Sequence, residues 1–437
     1  MLSRLLREHQ DVLSMSEFFS TLRIAAASGP AGFPTKEMDG AQLWRLLASP
    51  FPMLDAMISD GLRTAEMLYP DGGRFVPATG IPLVSHYILP MLGGDPDWLF
   101  DRLAAEVPRW PRRPAATQYQ ELFAFLSGLL ARPVVVERSA SSLHLIPLLH
   151  AQFPEARFVH LYRDGPDCAL SMSRHPAFRR EILAIGAVRA TRSKLPAGST
   201  LEQVNDALPE RFRGLICPPY DARKLREFPI PVEVFGRDRW SPMICAGVTA
   251  LAQVPEKARI SLRYEDLLAD PEDSLARLAE FIGITAPPGW LDLARRTVDP
   301  TRTGNAVTEL DPGALTRLRA ACEPGTRALA AAANASAPSL AGRETYPVSS
   351  PPFALRWRAA TAAQRWRAPW PPRPATAATV AGRWTAAAAR GPGRRRPVPG
   401  PTGPAGYRRP GRSAPAPAPG RHRPGSRSGG RSGPPPG

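Results

Sequence analysis

The stretch that most constrains this chain runs from Pro133 to Arg174. Pro133-Val134-Val135-Val136-Glu137 is a short apolar run ending in charge, the pattern of a strand buried on both faces. His144–Gln152 reads as a helix and stops before Pro154. Arg157-Phe158-Val159-His160-Leu161-Tyr162 is a second strand. Arg163-Asp164-Gly165-Pro166 then turns the chain into a helix over Asp167–Arg174, with Pro166 suited to the first helical position. Strand, helix, strand, turn, helix is a βαβα succession, which predicts an α/β fold with a parallel sheet covered by helices.

The flanking sequence fills in around this unit. Leu2, Leu5 and Leu6, set among Arg4, Arg7 and Glu8, predict a short helix with one apolar face, already running at the first residue. Residues from Gly29 to Arg113 read as helical but irregular, broken at Gly93-Gly94-Asp95-Pro96 and Trp110-Pro111. Asp206–Arg239 is Pro-rich and poorly periodic, the character of an insertion on the substrate side. Trp240–Gln253 reads as helix and Arg259–Tyr264 as a third strand. Pro271–Gly283 is a further helix, with Leu275, Leu278, Ala279 and Ile282 on one side.

Composition matters mainly for where it changes. The net charge of +17 suggests a polyanionic partner until it is located. All of it lies beyond Ser350, where 17 arginines stand with no lysine and no acidic residue; the rest of the chain is formally neutral. The folded part is therefore expected to have no nucleic-acid partner. Residues 346–437, rich in Arg, Pro, Ala and Gly, cannot bury enough apolar surface to offset chain entropy, which predicts a disordered tail behind a domain over residues 1–345. The cysteines Cys168, Cys217, Cys245 and Cys322 have no metal or redox spacing. No apolar run approaches the roughly 20 residues that span a bilayer, and the charged N-terminus is not a signal peptide, so the expectation is a cytoplasmic protein with no membrane association.

Chemistry concentrates at the turn after the second strand. Arg163 falls at the C-terminal end of a parallel strand, where open α/β sheets bind ligands, and the next helix would turn its N-terminus toward the same place. Ser171 follows eight residues later. A guanidinium with a hydroxyl nearby suits a phosphate; equally, Arg163 can pair with Asp164 or Asp167 while Ser171 faces solvent.

The run Phe153-Pro154-Glu155-Ala156-Arg157-Phe158-Val159-His160-Leu161-Tyr162-Arg163-Asp164-Gly165-Pro166-Asp167-Cys168-Ala169-Leu170-Ser171 resembles the 3′-phosphate-binding segment of sulfotransferases that use 3′-phosphoadenosine 5′-phosphosulfate (PAPS), with Gly165 where the family usually has Pro. The resemblance implies a P-loop-type parallel sheet flanked by helices, and Arg163 and Ser171 as ligands of the cofactor's 3′-phosphate. Arg263-Tyr264-Glu265-Asp266-Leu267 and the helix after it are similar to the family's late strand and helix. That similarity puts Tyr264 near the adenine; a core tyrosine closing a strand is the alternative. Glu137-Arg138-Ser139 occupies the place of residues beside the sulfuryl group, which implies Arg138 as charge stabiliser, against a pairing with Glu137 or Glu155. Arg4–Phe19 resembles the helix and strand after the phosphate loop, which implies Glu17 as general base, against a surface or helix-capping carboxylate. Trp240 stands where the family often has a Trp before a helix, either at the adenine or in the core.

The family's first strand and its Gly/Ser/Thr-rich 5′-phosphosulfate loop have no counterpart in the sequence; the expectation is that they lie upstream of Met1. The implied reaction is metal-free sulfuryl transfer from PAPS to a hydroxyl or amine of a small-molecule or carbohydrate acceptor. An inactive remnant binding nucleotide weakly is the first alternative. A nucleotide kinase of similar topology is the second, and it lacks the loop lysine and following Ser or Thr that its chemistry needs. Neither the acceptor nor an oligomeric state is specified by the sequence.

Overall fold

The computed structural model describes residues 1–27, 36–140, 142–191, 203 and 206–336. They fall in one compact unit, Met1–Ala368. The predicted tail lies outside the described residues.

The fold is mixed α/β and mostly helical, with short parallel strand pairs. Strand β1 (Val12–Ser16) and strand β4 (Val134–Arg138) pair in parallel, Val12 opposite Val134 and Ser16 opposite Arg138. Strand β5 (Phe158–Tyr162) and strand β6 (Arg259–Arg263) form a second parallel pair, Phe158 opposite Arg259 and Tyr162 opposite Arg263. Between β1 and β4, strands β2 (Glu37–Met38) and β3 (Arg113–Pro114) make a small antiparallel pair that sequence periodicity did not indicate.

The two parallel pairs serve the same two cores. Leu13 and Met15 of β1, Val135 of β4 and Phe158 of β5 pack into one apolar cluster. Val12, Val136, Val159, Leu161, Ile260 and Leu262 pack into the other, from all four strands. Strand residues alternate between faces, so the pairs are two halves of one layer. Among the described residues β4 pairs only with β1, and β5 only with β6. Consistent with that, β1 is buried throughout while all five β4 residues are only half-buried.

Helices cover both faces. On one side Gly40–Ala48, Leu83–Tyr87 and Ala115–Leu130 supply Leu43, Leu47, Val84, Tyr119 and Leu122. The Pro-rich stretch after Asp206 belongs to this core as well, through Leu208, Phe212, Leu215, Ile216 and Leu225. It is structural, and its irregular spacing hid that. On the other face the N-terminal helix Leu2–Arg7 buries Leu2, Leu5 and Leu6 as its pattern predicts, each worth about 1.5–3 kcal/mol. Trp290 locks it there by donating its indole N–H to the Leu5 carbonyl at 2.7 Å.

A third cluster forms around Trp240, which is fully buried on a π-turn (Gly236–Trp240) leading into the helix Ser241–Leu251. A Cβ at Gly165 or Gly325 would sit 2.8 or 2.5 Å from its ring, so both glycines are needed for the approach. Trp240 is thus a core residue. The helix Pro312–Ser336, which carries Gly325, completes this packing; Pro324 and a weak apolar pattern made it illegible in sequence.

Candidate functional site

The site lies at the C-terminal ends of the parallel strands. In the β1–β4 register Ser16 faces Arg138, so the residue after β1 meets the end of β4. That residue is Glu17. Its Oε1 lies 3.3 Å from Arg138 Nη1, and it accepts the Ala140 N–H at 3.1 Å. Arg138 also donates from Nη2 to the Ser16 hydroxyl at 2.6 Å. The two residues implied as catalytic are therefore partners, and Arg138 pairs with neither Glu137 nor Glu155.

Glu17 adopts φ 58°, a left-handed conformation unusual for a residue with a side chain. It is held by its N–H donating to the Arg138 carbonyl at 2.7 Å and by its carbonyl accepting from Thr21 N–H at 2.8 Å. Such conformations cost about 1–3 kcal/mol and concentrate at functional sites. Here the kink lets the helix Phe18–Ala27 start at once and turns the carboxylate across the strand ends. Burial raises the Glu17 pKa, opposed by the Arg138 charge and the Ala140 N–H. The result is a carboxylate more basic than usual.

Glu137 points to the opposite face, its carboxylate enclosed although the residue as a whole is half-buried. It accepts from Phe19 N–H at 3.2 Å and from the Ser139 hydroxyl at 2.5 Å, and burial pushes its pKa up to about 7. Because the folded value lies above the ordinary 4.5, the stabilising protonated form is complete below about pH 4.5 and lost as pH rises through 7. Glu137→Gln, which keeps an acceptor for Phe19 N–H, is expected to flatten a decline of about 1–3 kcal/mol across that window. Denaturation midpoints at about pH 5 and about pH 8 check this.

Arg163 follows β5 as predicted, and its alternative pairing is realised. Its Nη2 donates to Asp167 Oδ2 at 3.3 Å and to the Arg302 carbonyl at 3.0 Å, and its guanidinium lies 5.0 Å from the Tyr264 ring centroid. Tyr264 begins the helix Tyr264–Ala269 instead of ending β6, and it forms this cation–π contact as well as touching the core. Ser171 is exposed on the helix Gly165–Arg174. Asp167, four residues after Arg163 and four before Ser171, is buried, whereas Ser171 faces solvent.

The N-terminus of that helix is less open to an anion than its position suggests. Asp164 caps it by accepting Asp167 N–H at 3.1 Å, so an acid already serves one of the free donors. Asp167 in turn accepts Gly304 and Ala306 N–H, each at 2.8 Å, and so pins the segment that carries Arg302 over Arg163. Arg302 was missed from sequence because it sits in an aperiodic turn. Burial, reinforced by the positive charges of Arg138, Arg302 and Arg4, lowers the pKa of the Met1 amino group.

The guanidiniums keep unused capacity. Arg138 and Arg163 each have a buried Nε with no hydrogen-bond partner among the described residues. Buried polar groups are normally satisfied, so two such donors at the ends of β4 and β5 mark a place for an acceptor that enters. The bond of Glu66 to His175, 3.5 Å away, holds its pKa down to about 2. Among the described residues no cluster of three or more His, Cys, Asp or Glu is arranged to hold a metal, and no helix is long and apolar enough to cross a membrane.

These features define the class: an α/β protein with short parallel strand pairs and a cationic site, containing a basic carboxylate, at the strand ends. No protein-family model matches the chain, and no curated protein matches it. Among solved structures it is similar to a sulfotransferase domain from the curacin biosynthetic pathway, at 13% identity over 73% of this chain and 92% of that one, with a TM-score of 0.36.

Proposed function

We propose that this chain is a sulfotransferase-type domain that binds PAPS and transfers its sulfuryl group to a hydroxyl acceptor. The observation that carries the reading is the pair of orphaned Nε–H groups on Arg138 and Arg163, at the C-terminal ends of β4 and β5, with Glu17 beside the first. Two halves of a parallel layer meeting at such a point form the kind of crevice where open α/β folds take anionic ligands. The resemblance of Phe153–Ser171 to a 3′-phosphate segment supports the same assignment.

In this reading Arg163, Arg302 and the Ser171 hydroxyl hold the 3′-phosphate, and Tyr264 lies along the nucleotide. Glu17 takes the acceptor's proton as the acceptor oxygen bonds to sulfur. The bond from sulfur to the 5′-phosphate oxygen breaks, and adenosine 3′,5′-bisphosphate leaves with the electron pair. Arg138 stabilises the charge spreading over the sulfuryl oxygens and holds Glu17 in place. Among the described residues β4 pairs only with β1 and β5 only with β6, so each keeps an edge open to a further strand.

Isothermal titration with adenosine 3′,5′-bisphosphate tests the cofactor assignment, because that product needs no such cradle for its 3′ end. Binding is expected, and Arg163→Ala is expected to weaken it about 10–100-fold, the loss of charge-assisted bonds to one phosphate. A wild-type chain that does not bind, or an Arg163→Ala chain that binds as well, overturns the reading.

A further inference from the structure

The helix Phe18–Ala27 is capped from another part of the chain. The residue before a helix ordinarily offers its own side chain to the N–H groups of the first turn. Glu17 is that residue, and its carboxylate is turned instead to the Arg138 guanidinium and the Ala140 N–H. The donors of the first turn go to side chains at the end of β4. Phe19 N–H donates to Glu137 Oε1 and Ser20 N–H to the Ser139 hydroxyl oxygen, each at 3.2 Å. Ser139 gives its own proton to Glu137 Oε1, so the two caps act as one unit. Ser142 steadies that unit from behind by donating to the Ser139 carbonyl at 2.9 Å.

Four consecutive residues therefore divide two tasks. Glu137 and Ser139 hold the helix, while Arg138 and Ala140 hold the Glu17 carboxylate. A hydroxyl has one proton to give. In this arrangement the proton of Ser139 goes to Glu137, so Ser139 acts on the helix and not on a substrate oxygen.

We propose that Ser139 is a positioning residue for Glu17: with Glu137 it caps the helix from β4 and so releases the Glu17 carboxylate to serve as the base. This rests on the sulfotransferase reading for the chemistry, though not for the conformation. Without the Ser139 hydroxyl, Ser20 N–H loses its acceptor, and Glu17 is the adjacent carboxylate that can replace it. Drawn to the helix end, that carboxylate leaves Arg138 and Ala140 and no longer lies across the strand ends. The helix N–H groups and dipole also favour its ionised form there, so it becomes less basic.

The test uses the full chain with Ser139→Ala, Ser139→Thr, and Ser139→Ala combined with Glu17→Gln. Carbon NMR of glutamate-labelled protein follows the Glu17 carboxyl, assigned by its loss in Glu17→Gln. It is expected to titrate above the ordinary carboxylate range in the wild type and in Ser139→Thr, and clearly lower in Ser139→Ala. Arg138 and Glu66, the charges that act on Glu17, are the same in all three, so the shift reports where the carboxyl lies. In sulfuryl transfer, Ser139→Ala is expected to lower kcat about 10–100-fold with KM for PAPS unchanged, and Ser139→Thr to keep at least about half the rate. In the Glu17→Gln background Ser139→Ala should cost less than about threefold, because a residue that acts through another has no effect once the other is gone. A Glu17 titration that Ser139→Ala leaves unmoved overturns the proposal. So do losses that multiply in the double variant, which would put Ser139 on the sulfuryl group itself. Loss of a cooperative denaturant transition in Ser139→Ala would make Ser139 a stability residue and overturn it as well. A titration that moves as expected in a chain that transfers no sulfuryl group counts against the sulfotransferase reading alone.

Discussion

Replacing Glu17 with glutamine is expected to lower the rate of sulfuryl transfer about 10²–10⁴-fold, equivalent to about 3–5 kcal/mol of barrier, while leaving bisphosphate affinity unchanged. Glutamine has nearly the same size and can still accept the Ala140 N–H, so the kink after β1 is retained. It cannot take a proton. Initial rates with radiolabelled PAPS and a phenol such as 4-nitrophenol read the effect. The rising limb of the wild-type pH–rate profile should stand above the ordinary carboxylate range, because burial is the largest influence on Glu17 and raises its pKa. That limb should be missing from Glu17→Gln. A loss smaller than about tenfold with the limb intact would assign the proton transfer to another group.

Asp167→Ala is expected to be the most destabilising of the site substitutions, by about 3–5 kcal/mol. The carboxylate is 2% exposed and serves three partners: Arg163, Gly304 N–H and Ala306 N–H. Alanine leaves a guanidinium uncompensated and two backbone donors orphaned in the interior, and each orphan costs about 1–3 kcal/mol. Asp167→Asn should fall between, since its one carbonyl oxygen satisfies part of the set while its NH2 faces a donor. Denaturant midpoints at constant slope measure both variants. Bisphosphate affinity should fall in parallel, because the segment carrying Arg302 loses its anchor over Arg163. A destabilisation below about 1 kcal/mol would mean that water replaces the carboxylate, and that the segment is held by other contacts.

The two variants separate roles that sequence could only name together. Arg163 and Asp167 are one helical repeat apart, and both a phosphate site and a plain ion pair were legible there. The structure contains the ion pair, and it leaves Arg163 Nε free as well. Under the proposed function, structural pairing and ligand binding would use different nitrogens of the same guanidinium.

What the sequence determined by itself is local. Apolar runs of strand length at Val134–Val136 and Phe158–Tyr162 specified β4 and β5, because a strand that packs against an apolar cluster on each face needs no alternation. Pro166 and the pattern of Pro271–Gly283 marked two further helices, whose starts the structure caps with the Asp164 and Asp270 side chains. Leu2, Leu5 and Leu6 marked a helical face for the same periodic reason. Tertiary structure alone decided what meets what. Glu17 and Arg138 are 121 positions apart, and only the parallel register of β1 with β4 sets their carboxylate and guanidinium in contact. Trp240 was assigned to the core by two glycines on other helices. Arg302 lies in a segment without periodicity, where position follows from long-range packing and leaves no repeat in the sequence to read.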